Sequence, residues 1–226
     1  MSENLHLVFS KPPEWLSETE YNRWYDFHLG EILVVPGFVA ARRYRLQVTV
    51  GAAPLSQHTF LSLYEIEGDP AAVMGELDKE IESGSMHLPE WFPEIRFSSF
   101  NGLSLGNRDD PVMADHLYLV FSDAPPVIGE EDYIAWYRDH LAENLTAQGF
   151  LHGWRFRLEP VVTDRAGPTG STHLALYEVE GDLPALRASL TAARESGVVH
   201  IPQWFDQIPF VSFDATALGA RVPARS

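Results

Sequence analysis

The chain contains no cysteine. That excludes disulfides, thiolate metal sites and thiol nucleophiles together. Basic side chains are scarce as well: 16 Lys and Arg stand against 32 Asp and Glu, a formal net charge of -16. A surface of that sign repels phosphodiester backbones and anionic lipid, so neither nucleic acid nor a membrane is expected as a partner. No apolar run approaches the roughly 18 residues of a membrane span. The opening MSENLHLVFS lacks the basic region and apolar core of a signal peptide, and the chain reads as cytoplasmic. There is no phosphate-cradling Gly-rich loop, no GxSxG elbow and no HExxH. What is present is ordinary for a globular protein: 226 residues, 45% hydrophobic and 21% charged, enough for one large domain or two small ones with real cores.

The informative feature is a duplication. NRWYDFHLGEIL at 22–33 returns as IAWYRDHLAENL at 134–145. Residues 21–46 and 133–158 share 12 identities in 26 positions, and residues 60–106 and 173–219 share 22 in 47. The offset changes from 112 to 113 between the blocks, in the loop where VTDRAGPTGS stands for VTVGAAPLSQ. Two copies are too few for a solenoid, so each predicts a compact unit of about 100 residues. The organisation expected is a first unit at 1–106, a polar linker at 107–115 and a second unit at 116–226.

Each copy reads as strand, helix, strand, strand, helix, strand. LHLVFS and LYLVFS are short β-branched and aromatic runs. Ser17 and Glu20 form a capping-box pattern, and the helix they open is expected to reach about Val34, ended by Gly37 (Gly149 in the second copy). On it Tyr21, Trp24, Tyr25, His28 and Ile32 share one face. Asp69-Pro70 reads as an N-cap followed by proline at the first helical position, with the second helix stopping at Gly84. The fold class expected is α+β: two tandem ferredoxin-like βαββαβ units whose antiparallel sheets pack face to face, since the bare face of each four-stranded sheet needs a cover. A pair of chains could supply that cover instead, as a homodimer.

WYDFHLGEILVVPGF resembles the EthD-like branch of the dimeric α+β barrel superfamily, in which a first helix rich in Trp or Phe carries a His before a PGF turn. WYRDHLAENLTAQGF is similar, with Gln148 in place of the proline. The resemblance covers nearly the whole chain and implies a fused dimeric α+β barrel. It implies a site in an apolar cavity between sheet and helices, or inside the barrel, with His or Tyr as the acid-base group. Polyketide cyclases, muconolactone isomerases, hydroxynitrile lyases, heme-binding monooxygenases and members without known activity belong to that superfamily. A His past the second helix, as at His87 and His200, resembles the catalytic His of its olivetolic-acid-cyclase-like members.

The candidate catalytic residues are therefore His28, His140, His87 and His200. His28 and His140 lie on the apolar helix face, where burial lowers an imidazole pKa, so each could exchange a proton near neutral pH; Glu31 and Glu143, three residues on, could orient the rings. The plain alternative is a core histidine. His87 and His200, in GSMHLPEWF and GVVHIPQWF, could stand at a cavity mouth or merely brace a loop. Candidate substrate-binding residues are Trp24, Tyr25, Tyr64 and Trp91, their counterparts Trp136, Tyr137, Tyr177 and Trp204, and Arg43 and Arg155. For the arginines, cross-strand ion pairs with the Glu65/Glu67 and Glu178/Glu180 strands are the expected role. The copies also diverge, with His6 against Tyr118 and Ala40 against His152, as an asymmetric single pocket would require. No metal and no cofactor is expected. The function these readings favour is a cofactor-independent lyase, isomerase or cyclase acting on a small hydrophobic, aromatic or polyketide-like molecule. The alternatives are a non-catalytic small-molecule-binding barrel and a heme-dependent or cofactor-free monooxygenase.

Overall fold

The computed structural model describes residues 4–51, 54–106, 113–162 and 171–224. Most of the expected linker, and the loop where the offset changes, lie outside them. Strand β1 (Asn4–Lys11) leads to helix α1 (Glu18–Ile32), where the Ser17 hydroxyl accepts the Glu20 amide at 3.2 Å and so satisfies one orphan donor of the first turn. The helix closes two residues earlier than expected, with Leu33 as its C-cap. Gly37 is needed one turn further on. Its φ is +97°, and a Cβ there would stand 2.3 Å from Val73 of the second helix. Gly149 has the same conformation, φ +92°, against Leu186. Glycine in the PGF and QGF turns is thus set by close packing and a left-handed backbone, whereas Pro36 and Gln148 interchange.

Strands β2 (Phe38–Val50) and β3 (Phe60–Ile66) follow, then α2 (Pro70–Ser83), capped by Asp69 and closed by Gly84 at φ +75°, and β4 (Arg96–Ser104). The second half repeats the order: β5 (His116–Ser122), α3 (Glu130–Asn144), β6 (Phe150–Val162), β7 (His173–Val179), α4 (Leu183–Glu195) and β8 (Phe210–Ala217), with a short β9 (Val222–Pro223).

Pairing gives the order β4-β1-β3-β2 in the first half and β8-β5-β7-β6 in the second. The halves then join edge to edge, β4 to β6 and β2 to β8, all antiparallel. Eight strands therefore close into one barrel within a single chain, and β9 adds to the outside of β2. The closed antiparallel barrel agrees with the expected fused barrel, closed through the β4–β6 and β2–β8 edges. Closure leaves no long strand edge unpaired among the eight, which is the stable answer to edge exposure.

Alternation along the strands sorts the side chains. Leu5, Leu7 and Phe9 of β1 point inward with Leu117, Leu119 and Phe121 of β5. Phe9, Phe121 and Phe213 meet with ring centroids 5.4–6.0 Å apart. The barrel interior is thus filled with apolar side chains. The intervening residues, His6, Val8 and Ser10 on β1 and Tyr64 on β3, face the helices. His6, His28, Tyr25 and Tyr64 sit in that outer layer, between barrel and helices, whereas Tyr44 packs in the barrel interior.

Candidate functional site

The layer between sheet and helices holds two cavities in corresponding places. The first, about 280 Å³, is lined by His6, Val8, Tyr25, His28, Ile32, Tyr64, Leu77, Ile81, Phe92, Phe97 and Ser99. The second, about 80 Å³, is lined among others by Tyr118, Tyr137, His140, Asn144, Tyr177, Arg194 and Phe205. Small-molecule sites start at about 300 Å³, so the first cavity approaches that size and the second holds little more than a few waters. Substitutions account for the difference. Tyr118 replaces His6 and donates its hydroxyl to Ser212 at 3.2 Å, spanning ground that stays open in the first half. Arg194 and Asn144 replace Ile81 and Ile32.

His28 is stacked on Trp24, with centroids 4.8 Å apart and planes 14° from parallel. Its Nδ1 lies 3.1 Å from Glu31 Oε2. Burial pulls its pKa below the usual value, against an upward pull from the Glu31 carboxylate. The ring is therefore neutral at pH 7, with Nδ1–H donated to Glu31. Its Nε2 carries a lone pair and no hydrogen bond among the described residues. Such a ring is a base held in one tautomer. His6 is also neutral: burial lowers its pKa to about 4, opposed by a bond between Nδ1 and Asn101 Oδ1 at 2.9 Å. Burial raises the Tyr25 and Tyr64 pKa values, so both hydroxyls are protonated donors.

The second half keeps the stack but loses the pair. His140 lies 4.5 Å from Trp136. Its Nδ1 stands 3.9 Å from Glu143 Oε2 and has no hydrogen bond among the described residues. Burial first, then Arg194 and Arg155, lower the His140 pKa to about 4.

His87 and His200 are exposed and line neither cavity. Their backbone is what is held: the His87 amide donates to Glu31 Oε1 at 2.8 Å, and the His200 amide to Glu143 Oε2 at 2.8 Å. Trp24 Nε1 donates to the His87 carbonyl at 3.0 Å. Glu31 thus clamps the loop after α2 as well as orienting His28, a second duty that sequence spacing does not reveal. Trp91 and Trp204 meet Trp24 and Trp136 edge-on, at 5.1 and 4.8 Å, behind the cavity walls. Tyr25 and Tyr64 line the first cavity, and Tyr137 and Tyr177 the second.

The cross-strand ion pairs expected of the arginines do not form. Register sets Arg43 opposite Ser62 on the helix-facing side of β2, while Glu65 lies on the other face. Arg43 instead pairs with Asp26 of α1 at 3.1 Å and lies 4.3 Å from the Tyr25 ring centroid. Arg221 takes Glu65 at 2.8 Å. Arg155 lies 4.2 Å over Tyr137. The sequence reading missed Leu77, Ile81, Phe92, Phe97 and Ser99 as cavity lining; their counterparts at an offset of 113 were the available signal. Among the described residues no group of three or more His, Asp or Glu could hold a metal ion, and no helix is long and apolar enough to cross a membrane.

No family model matches the chain, and no curated protein matches it. Solved structures do. A provisionally assigned monooxygenase from Fusobacterium nucleatum aligns at TM-score 0.54 and 13% identity, over 98% of this chain and 95% of that one. An anthrone oxidase-like protein aligns at 0.57 and 11%, over 99% and 94%. A point mutant of chlorite dismutase from Candidatus Nitrospira defluvii aligns at 0.53 and 8%, over 96% and 92%. At these identities the likeness shows the fold alone: a mixed α+β protein with a closed antiparallel barrel and four helices among the described residues.

Proposed function

We propose that the protein is a cofactor-independent enzyme of the lyase, isomerase or cyclase type. It binds a small hydrophobic, aromatic or polyketide-like molecule in the first-half cavity and removes a proton from it with His28. The observation that carries this reading is the Glu31–His28 pair presenting an uncommitted Nε2 beside an almost wholly apolar space of about 280 Å³. His28 Nε2 takes the proton from an acidic C–H of the ligand, and the electron pair left behind moves onto an adjoining carbonyl oxygen as an enolate. The protonated hydroxyls of Tyr25 and Tyr64 are the donors at hand for that oxygen. His28 then returns the proton at a different atom, or to a leaving group. His140, His87 and His200 take no part in this step, and His6 shapes the cavity.

In this reading the chain is a tandem pair of ferredoxin-like units, 1–106 and 116–226, from the EthD-like branch. The first unit supplies the chemistry and the second completes the barrel. A homodimer would then form through an outer surface, since the barrel already closes within one chain.

The same deprotonation also opens the way to cofactor-free oxygenation; the names of two structural neighbours, a monooxygenase and an anthrone oxidase-like protein, point to oxidation without saying what cofactor serves it. A haem group fits less well. A free Nε2 suits an axial ligand, but a cavity just under the roughly 300 Å³ lower bound for drug-sized ligands does not take in a tetrapyrrole. A visible absorbance scan of the purified protein checks this.

One neighbour's name supplies a probe: anthrone, a neutral aromatic ketone with one acidic methylene. Thermal-shift titration with anthrone and related aromatic ketones is expected to raise the melting temperature of the wild type. Turnover is expected to be lost in His28→Ala and kept in His140→Ala. Equal turnover in both variants would overturn the assignment, and binding without turnover in the wild type would make the protein a carrier.

A further inference from the structure

Arg43 and Arg155 occupy corresponding places on β2 and β6. Both are buried, and each lies over a tyrosine of the neighbouring helix. Their charges are treated differently. Arg43 Nη1 donates to Asp26 Oδ1 at 3.1 Å and Nη2 to Asn22 Oδ1 at 2.8 Å. In the second half the residues corresponding to Asn22 and Asp26 are Ile134 and Arg138. The counter-ion has become a second cation.

Arg155, only 7% exposed, keeps one hydrogen bond among the described residues, from Nη1 to the Ile134 carbonyl at 2.9 Å. Its Nε and Nη2 have no partner among them and are closed to solvent, so the fork must turn toward the neighbouring space to meet an anion. A buried cation stripped of its partner is strongly destabilising, so a missing anion is the physical expectation. Space for one exists where the first half keeps its own carboxylate. Ile134, Arg138 and Arg155 line a cavity of about 360 Å³ between α3 and the joined strands β4 and β6.

We propose that this cavity binds a small carboxylate monoanion, which stands to Arg155 as Asp26 stands to Arg43. A planar carboxylate matches the fork of a guanidinium. The charges facing the space support a single negative charge. Arg155 and Arg138 are set against Glu131, and Arg138 is partly neutralised by Asp139 at 3.1 Å. A phosphate dianion would exceed that balance. The site lies in the opposite half from His28 and stands or falls independently of the reaction proposed above.

The test is thermal unfolding of the full chain, titrated with sodium benzoate and with sodium phosphate against sodium chloride at matched ionic strength. Benzoate is expected to raise the wild-type midpoint saturably by roughly 3–6 °C above chloride, with phosphate giving little. Arg138→Asp restores the internal carboxylate. It should melt higher than the wild type in chloride and lose the benzoate response. Arg155→Met should lose the response as well; if it fails to fold, Arg138→Asp carries the test alone. A benzoate response that survives in Arg138→Asp reports binding elsewhere and overturns the proposal. So does no response above chloride, or a larger response to phosphate than to benzoate.

Discussion

Glu31 Oε2 lies 3.1 Å from His28 Nδ1, a hydrogen bond that fixes the tautomer and plane of the ring. The corresponding pair, Glu143 and His140, stands 3.9 Å apart and makes none. Under one ångström separates a ring bonded to its carboxylate from one held by packing alone, and the bonded ring lines the larger of the two corresponding cavities. Both glutamates still hold the amide of a residue one loop away, Glu31 that of His87 and Glu143 that of His200. The carboxylate thus holds a loop amide in both halves, and in the first half it also holds the imidazole ring of its own helix.

Removal of the base is the first consequence. His28→Ala should lower turnover of an aromatic ketone by about 10²–10⁴-fold, the usual worth of a positioned general base. His140→Ala should leave turnover within a few-fold of wild type. Glu31→Gln should reduce kcat and also loosen the loop at His87. Steady-state kinetics beside a melting curve separate the two effects.

Acid should weaken the fold through its buried imidazoles. Burial holds the folded pKa of His6 and His140 at about 4, against about 6.5 in the unfolded chain. Below about 6.5 the unfolded chain takes up protons that the folded chain refuses, so stability is full above that pH and is lost as pH falls toward 4. Each displacement is worth on the order of 3 kcal/mol across that window. His140→Phe should flatten the decline, as measured by urea unfolding at pH 7, 6, 5 and 4.5.

Cavity size should be transferable between the halves. His6→Tyr combined with Ile81→Arg introduces the second half's residues into the first and should close much of the 280 Å³ space. Such a chain is expected to fold and to lose its thermal-shift response to hydrophobic ligands. An unchanged response would place the ligand elsewhere.

The barrel interior should behave as a core without chemistry. Phe121 is fully buried against Phe9 and Phe213. Phe121→Ala should cost about 3–5 kcal/mol of stability, read by denaturant unfolding, while ligand affinity in the outer layer changes little under conditions where the variant stays folded.

Much of this architecture is legible in the amino-acid order, because the features concerned are local. The Ser17 and Asp69 caps, the helix face carrying Tyr21, Trp24, Tyr25 and His28, and the strand alternation each depend on neighbours a few residues away. Closure is different. The pairings of β4 with β6 and β2 with β8 depend on backbone register between distant segments. The β2–β3 register sets Arg43 opposite Ser62 and Glu65 opposite Ala40, which puts Arg43 and Glu65 on opposite faces, so the pairing expected of them fails. Within the cavity, the aromatic and imidazole members are visible from their repetition. The inequality of the two cavities is not, since it arises where His6, Ile32 and Ile81 converge from three elements, against Tyr118, Asn144 and Arg194.

Proton removal at His28 can be observed without knowing the natural product. An aromatic ketone with an acidic methylene, incubated in D₂O, should exchange that hydrogen for deuterium faster with wild-type protein than with His28→Ala, both variants binding it equally. Equal exchange in wild type and His28→Ala, at saturating ligand and with both chains folded, would contradict the account at its centre.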